Sequence, residues 1–438
     1  GLECIAQGEQ VGVHALIEAA GMSGRKLDSI DLAFGLAPRI NAAGRLGQTD
    51  LAMELLLCDR QSQAMELAQQ LNELNEQRKA LVDHIYEEIN AKIARHPEIL
   101  QERVILLYGE GWHHGVIGIA AARLVEEYSK PCVLFSIEED QARGSARSVE
   151  GYSIIAAISR CSSLLTRYGG HDQAAGMTVP VEHLREFIDQ MLQDAREHFD
   201  LMPVDQLKID AVVDAEQLNL KTVYGMQQLR PFGCGNEQPV VAMPGCRIEA
   251  ICPLSENRHL RLKLSYQGKS FSAIYFRMSP DRFPFYIGDT VDVAANLDVN
   301  EYNGEKSVSV KIKDVRLHGV KQDKLVVGRQ YYEKYCRHEP LEEKIREYIC
   351  PQREDVAGLY RFLRQCGGFA FGYDMLWCRL RGINYCKMRI CIDVMQELGL
   401  IERARLSSSG EVALRLPDKV VKTQLDQSRI LRQLKVGE

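Results

Sequence analysis

The sequence predicts an α/β domain followed by a small β-barrel, with a long connector helix ahead of the first and a small, mainly helical, winged-helix-like module after the second. Three observations carry this. Leu67, Leu71, Leu74, Leu81, Ile85, Ile89 and Ile93 recur every three or four positions between about Gln61 and Arg95, which is the period of one long helix. From Val104 to His198, apolar runs of strand length alternate with helical patterns, which implies a sheet with helices packed on it. After Pro239 no good helix appears until about Gly319, and period-2 runs take over.

In chain order, residues 1–60 read as short helices, with Leu16, Ile17 and Ala20 in one and Leu51, Ala52, Leu55 and Leu56 in another. Between them Phe34–Leu46 contains Gly35, Pro38 and Gly44 and is expected to be a loop carrying Arg39 and Arg45. The helix of residues 61–96 would span about 50 Å before Pro97 ends it, a length that suits a connector better than a core element. Residues 97–204 supply strand Val104–Tyr108, a glycine loop, helix Ile117–Tyr128, strands Cys132–Ser136 and Ala142–Ser148, helix Tyr152–Arg167, strand Ala174–Val179 and helix Glu182–His198. Residues 205–318 open with strand Leu207–Val213, helix Glu216–Leu229 and the turn-rich Arg230–Pro239. The runs His259–Leu264, Ser270–Tyr275, Thr290–Ala294 and Val308–Ile312 follow, at a size and count that suit a five-stranded barrel of the OB type. Beyond Gly319 helical patterns return, and residues from about 340 to the end read as three helices and a terminal hairpin. Boundaries rest on changes of period, since no internal repeat or low-complexity tract is visible.

With 438 residues, 45% of them hydrophobic, the chain is too long for one core and too apolar for disorder. No apolar run approaches 18 residues, which argues against a membrane span, and the first residues lack a secretory signal. The chain opens on Gly1, so upstream residues are expected to be missing. The thirteen cysteines form no CxxC pair, which fits a reduced cytoplasm. Cys336 and His338 have no second close pair, and no metal is expected on this chain. Charge is uneven: residues 1–246 carry a net −14 and the remainder +8, so the C-terminal half is the better platform for nucleic acid.

Several strings could carry chemistry. In Gly109–Gly118 a glycine loop between strand and helix brings His113 and His114 to a helix N-terminus, a place suited to an anion and equally to a tight turn. In Gly144–Ser148, Ser145 and Arg147 stand at i and i+2 and face one side of a strand, which suits either a phosphate clamp or a cross-strand ion pair. In Gly169–Gly176, Gly169 and Gly170 free the backbone before His171, and small residues after it permit close approach of a ligand. In the barrel, Arg258, Arg261, Lys263, Lys269 and Arg277 are interleaved with Tyr266, Phe271, Tyr275 and Phe276, the mixture needed to neutralise a backbone and stack bases. About half of those aromatics are expected to fill the barrel instead.

Taken in order, Pro38–Arg45, Gly111–Gly118, Gly144–Ser148, Gly169–Gly176, Pro231–Asn236 and Asn300–Gly304 resemble the motif series of the RecJ family of bacterial single-strand-specific DNA exonucleases, within the DHH phosphoesterase superfamily. The resemblance covers about residues 1–318. It implies that residues 1–60 are the end of a DHH domain, that residues 97–204 are a DHH-associated domain, that residues 205–318 include an OB fold, and that 319–438 are an accessory domain. It also implies Mn²⁺- or Mg²⁺-dependent 5′→3′ digestion of single-stranded DNA, in repair and recombination. Single-stranded DNA is then the partner, joined by a single-strand-binding protein or a helicase, with a monomeric chain and no membrane. Carried over residue by residue, the resemblance makes Arg39 or Arg45, with Ser145 and Arg147, the binders of a 5′-phosphate. It makes His171 a contact near the scissile phosphate. Gly169, Gly170 and His113, and independently of the resemblance Arg258, Arg261, Lys263 and Tyr275 of the barrel, are further candidate nucleic-acid contacts. The family's metal ligands lie in an Asp-rich strand end and an Asp-His-His triplet, neither of which occurs here, so the chain is expected to begin after them and to be inactive alone. Another class of reading stays open, a nucleic-acid-binding protein without catalysis, because the associated domain also occurs in alanyl-tRNA synthetases.

Overall fold

The structure, a computed structural model, describes residues 1–24, 27–204, 206–302, 304–369, 372–380, 382–405, 412–417 and 424–436. Asn303, within the string Asn300–Gly304, lies outside them. The chain divides into two compact units, residues 1–205 with 231–237, and residues 206–230 with 238–438.

The first unit opens with α1 (Leu2–Gln7), α2 (Val11–Ala19), a single turn α3 (Ser29–Asp31), a wide π turn (Leu32–Leu36), α4 (Ala37–Arg45) and α5 (Thr49–Leu57). The expected loop at 34–46 is therefore mostly helix. Pro38 stands in the first turn of α4, where its missing N–H costs nothing and its fixed φ suits the helix. Helix α6 runs Gln61–Arg95, the bounds its apolar period predicts. It is more than a connector. Leu67, Leu71 and Leu74 belong to the core of the N-terminal helices, and Val82, Ile85, Ile89 and Ile93 to a second core against the sheet that follows.

That sheet contains β1 (Ile105–Glu110), β2 (Cys132–Glu138), β3 (Gln141–Arg147), β4 (Arg167–His171) and β5 (Ala174–Pro180), in the order β1-β2-β3-β5-β4, with only β1–β2 parallel. Helix α7 (His114–Tyr128) packs on one face. Helices α8 (Ile154–Arg160) and α9 (Leu184–His198) pack on the other. Two expectations are corrected here. The helix expected to run to Arg167 stops at Arg160, and β4 was not expected at all. Ser162–Leu164 makes only a tight turn before Thr166 and Arg167 join Thr178 of β5. Helix α7 also begins a turn earlier than expected, because Gly115 and Gly118 serve close packing rather than a loop.

In the second unit a short strand β6 (Ala211–Val212) and helix α10 (Leu220–Gln227) precede β7 (Val241–Leu254), β8 (His259–Tyr266), β9 (Lys269–Tyr275), β10 (Thr290–Tyr302) and β11 (Glu305–Leu317). The strands run β7-β8-β9-β11-β10, and β10 returns to β7, which closes a five-stranded barrel with the parallel pair β9–β11. Leu260, Leu262, Leu264 and Tyr266 point inward from β8 while Arg261 and Lys263 point out, so period-2 patterning sets both faces. The C-terminal part holds α11 (Gln322–Cys336), α12 (Glu343–Ile349), α13 (Arg353–Cys366), α14 (Tyr373–Arg379) and α15 (Tyr385–Glu397), then the hairpin β12 (Glu402–Arg405) with β13 (Val412–Arg415), and α16 (Arg429–Val436). Arg379 of α14 grips Asp289 of the barrel with two hydrogen bonds, at 2.8 and 2.6 Å. None of the thirteen cysteines is in a disulfide, and no helix among the described residues is long and apolar enough to cross a membrane.

The barrel should be acid-sensitive. Burial pushes the Asp292 carboxyl up, but His318, Arg316 and the Gly245 N–H together hold it below the ordinary range; Lys311 does the same for Asp298 against its burial. A carboxyl lowered by folding stabilises the fold above its unfolded pKa, and the contribution is lost as pH falls through the folded value. Asp314, raised by burial, works in the opposite sense. The urea midpoint of the second unit is therefore expected to fall below about pH 4, and Asp292→Asn to make that fall shallower. A midpoint with the same pH slope in parent and variant would refute this.

Candidate nucleic-acid interface

The site is built on β3, β5 and β4. In an antiparallel sheet, directly paired residues share a face. Arg147 pairs with Ala174 and Ala174 with His171; Ser145 pairs with Gly176 and Gly176 with Gly169. Arg147, Ser145, His171 and Gly169 thus lie on one face in two adjacent rows, with only small side chains between them. The opposite face is core: Ala146, Ala175 and Met177 are buried there. His171 ends β4 at a tight turn, which Ser148 N–H and Ile154 N–H anchor by donating to the Gln173 and Asp172 carbonyls. Gly170 has φ +154°, and a Cβ there would lie 2.4 Å from the Ala174 carbonyl oxygen, so pairing of β4 with β5 requires glycine.

Helix α7 covers the β2 and β3 part of the same face. A Cβ at Gly118 would lie 2.7 Å from Ser145 Oγ and 3.0 Å from an Arg147 terminal nitrogen, so the absence of a side chain makes room for this pair. Arg147 donates to its neighbour's carbonyl, Ala146 O, at 2.7 Å and lies 3.4 Å from Ser145 Oγ. No carboxylate pairs with it among the described residues, so the cross-strand ion pair has no partner here.

Arg45, at the end of α4, donates to Gly115 O at 3.1 Å. Its charge reaches both Arg147 and Arg78 of α6: burial first, then Arg45, lowers the pKa of each guanidinium. Glu76 and Asp83 partly offset this at Arg78, whereas Arg147 has no such acid acting on it. Arg39 is engaged elsewhere, with Asn72 Oδ1 at 2.9 Å and Gly35 O at 2.6 Å. Of the two arginines that the sequence left open, Arg45 is the one whose charge reaches Arg147. It also reaches Arg78, which the sequence reading did not single out.

His113 caps α7, accepting from Gly115 N–H at 3.1 Å, and stacks on His114, whose Nδ1 lies 2.8 Å from Glu138. Among the described residues no three His, Cys, Asp or Glu side chains converge on a point where they could hold a metal ion. The described residues thus do not fit a Mg²⁺ or Mn²⁺ pair.

On the barrel, Arg261 and Lys263 are exposed on the outside of β8; Lys263 lies 3.3 Å from Glu249. Arg258 sits in the β7–β8 turn, its Nε donating to Ser255 O at 3.2 Å. Tyr275 is a correction. It pairs with Leu260 on the inward phase, packs edge-on to Phe283 at 6.5 Å, and burial pushes its hydroxyl up to about 12. It fills the barrel and is not on the Arg261 face. Tyr266 and Phe271 also pack on the core, which leaves Phe276, 47% exposed, as the outer aromatic of the four.

Comparison with known proteins agrees with this architecture. Residues 101–197 match the DHHA1 domain and residues 209–314 the RecJ OB domain. The single-stranded-DNA-specific exonuclease RecJ of Bacillus subtilis is 28% identical over 320 residues, covering 72% of this chain and 40% of that protein. The RecJ of Thermus thermophilus is 31% identical over 316 residues, 72% of this chain and 44% of the relative. The crystal structure of Thermus thermophilus RecJ in complex with Mg²⁺ superposes with a TM-score of 0.62 at 29% identity, over 73% of this chain and 48% of the other; that of the Mn²⁺ complex gives 0.62 as well. The chain spans about half the length of the relatives it matches. It carries a DHHA1 domain and a RecJ OB domain in succession, and over these it is RecJ-like in both sequence and fold.

Proposed function

We propose that this chain is the substrate-holding portion of a RecJ-type single-strand-specific exonuclease acting in DNA repair and recombination. Arg147, Ser145 and Arg45 take the 5′-terminal phosphate, and His171 meets the strand near the scissile phosphate. Arg261 and Lys263 of the barrel neutralise backbone elsewhere on the strand. The observation that supports this best is Arg147 lying 3.4 Å from Ser145 Oγ, within reach of the charge of Arg45, with no carboxylate paired to Arg147 or Arg45 among the described residues. A terminal phosphate carries more charge than a diester and offers more acceptor oxygens, so a guanidinium fork with a hydroxyl distinguishes the two. The reading assigns grip, not cleavage, to these residues. A single-strand-binding protein or helicase as partner, and a monomeric chain, belong to the same proposal.

The test compares matched strands with 5′-phosphate and 5′-hydroxyl ends. Arg147→Ala is expected to remove about tenfold of the preference for the phosphate, since a charge-assisted bond contributes roughly 1.5 kcal/mol or more when half-buried. Arg147→Lys should recover part of it, because a point charge lacks the bidentate geometry. Equal weakening of both strands would reduce Arg147 to general electrostatics, and no weakening of either would refute the assignment.

A further inference from the structure

The sheet face that carries Arg147 and Ser145 continues past them. Arg143 stands on the same phase of β3 and pairs with Thr178 of β5, which pairs in turn with Arg167 of β4. Two guanidinium groups thus flank one hydroxyl in a third cross-strand row. A cavity of about 780 Å³ joins this row to the one before it, lined by Arg143, Arg167, Thr178, Ser145, Gly169 and Gly176. Its floor is open: a Cβ at Gly169 would meet nothing within 4 Å, and one at Gly176 only Gly144 O at 3.8 Å.

The charges of this row are only partly spent. Arg143 Nε lies 3.4 Å from one oxygen of Glu138, whose other oxygen meets His114 Nδ1 at 2.8 Å, so Glu138 is shared between them. Arg167 is exposed, and its guanidinium meets no carboxylate among the described residues. The row stands four residues along β3 from Arg147, about 13 Å at the rise of a strand, which is further than one phosphate group can bridge. The two ends of the trough therefore cannot serve the same phosphate. A single strand laid along the glycine floor would present one phosphate to each.

We propose that Arg143 and Arg167, across Thr178, hold an internal phosphate of the same single strand whose terminal phosphate is held at Arg147. This rests on the reading above and extends it: the trough engages a strand at two points, so it discriminates by length as well as by end chemistry. Arg167 is then a specificity-determining residue for strands long enough to reach it.

The experiment uses the full chain and 5′-phosphorylated oligothymidylates of increasing length, measured by competition. Arg167→Ala is expected to leave the shortest strands within about twofold of the parent and to weaken the longer ones about tenfold, the loss of one charge-assisted contact. It should also make binding less salt-dependent, the slope falling by roughly 0.7 for each single-strand phosphate contact removed. A neutral methylphosphonate walked along the strand supplies an arm that needs no protein variant. At one internal linkage it should weaken the parent and have no further effect on Arg167→Ala. Retention of most affinity by Arg167→Lys would support a charge contact. Equal weakening of short and long strands, or no linkage at which the two changes fail to add, would overturn the proposal. The end preference lost in Arg147→Ala is read in the same competition with matched 5′-hydroxyl strands, so failure of this second contact is distinguishable from failure of the terminal one.

Discussion

Gly115→Ala is expected to destabilise the first unit by about 3 kcal/mol, lowering its melting temperature by roughly 6–12 °C. A Cβ on Gly115 would lie 2.1 Å from the Arg45 carbonyl oxygen and 3.0 Å from its carbon. Both are backbone atoms at the end of α4, so the overlap cannot be relieved by turning a side chain. Either α4 or α7 must shift, and both carry parts of the proposed anion site. Gly44→Ala, one residue before Arg45, is the control: a Cβ there meets nothing within 4 Å, and alanine should leave stability unchanged or raise it by up to about 1 kcal/mol. Thermal unfolding followed by circular dichroism separates the two. If both variants melt with the parent, α4 does not pack on α7 as described.

The second large effect belongs to the C-terminal helices. Arg389 of α15 lies over Tyr373 at 3.6 Å and Tyr332 at 4.1 Å from the ring centroids, and donates to the Tyr385 hydroxyl at 3.2 Å. Its charge also helps to offset Asp393, whose carboxyl burial pushes up while Tyr332 donates to it at 2.6 Å and Arg403 at 3.2 Å. Arg389→Ala should cost about 3–5 kcal/mol, because it leaves both a cavity and a buried acid short of positive charge. Arg389→Met, which fills most of the volume, should cost less. Calorimetry of the whole chain is expected to show an early transition in Arg389→Ala that is weaker or absent in Arg389→Met. Identical transitions in parent and Arg389→Ala would show that the buried guanidinium contributes little.

Legibility in the sequence followed the range of the physics. Helix α6 and the barrel strands are set by periodicity within a dozen residues, so Gln61–Arg95 and the inward phase of Leu260, Leu262 and Leu264 could be read directly. The shared face of Ser145 and Arg147 follows from strand geometry alone. The phase of β9 is readable too: Ser270 and Ser272 mark its outer side, which turns Tyr275 inward despite the charge interleaved around it. Pro38 and Gly44 look like breakers until one knows that Pro38 stands in the first turn of a helix. Arg143 shares the parity of Ser145, yet its role depends on Arg167, which helix-like neighbours concealed. The place of Arg45 against α7 is out of reach of the sequence, because it rests on a contact across 70 residues of chain.

Helix α6 has a consequence for how the arginine cluster comes into being. Its first half is buried among the N-terminal helices and its second half against the sheet, while Arg78 lies between the two. Either half alone would be a short helix, marginal in water without a partner surface. Melting one core therefore strips support from the rod on which the other is laid, and the two fold as linked equilibria rather than as independent modules. Arg45 comes from one core, Arg147 from the other and Arg78 from the span between. The placing of these arginines is thus a property of the fully folded unit, and a half-folded chain does not assemble it.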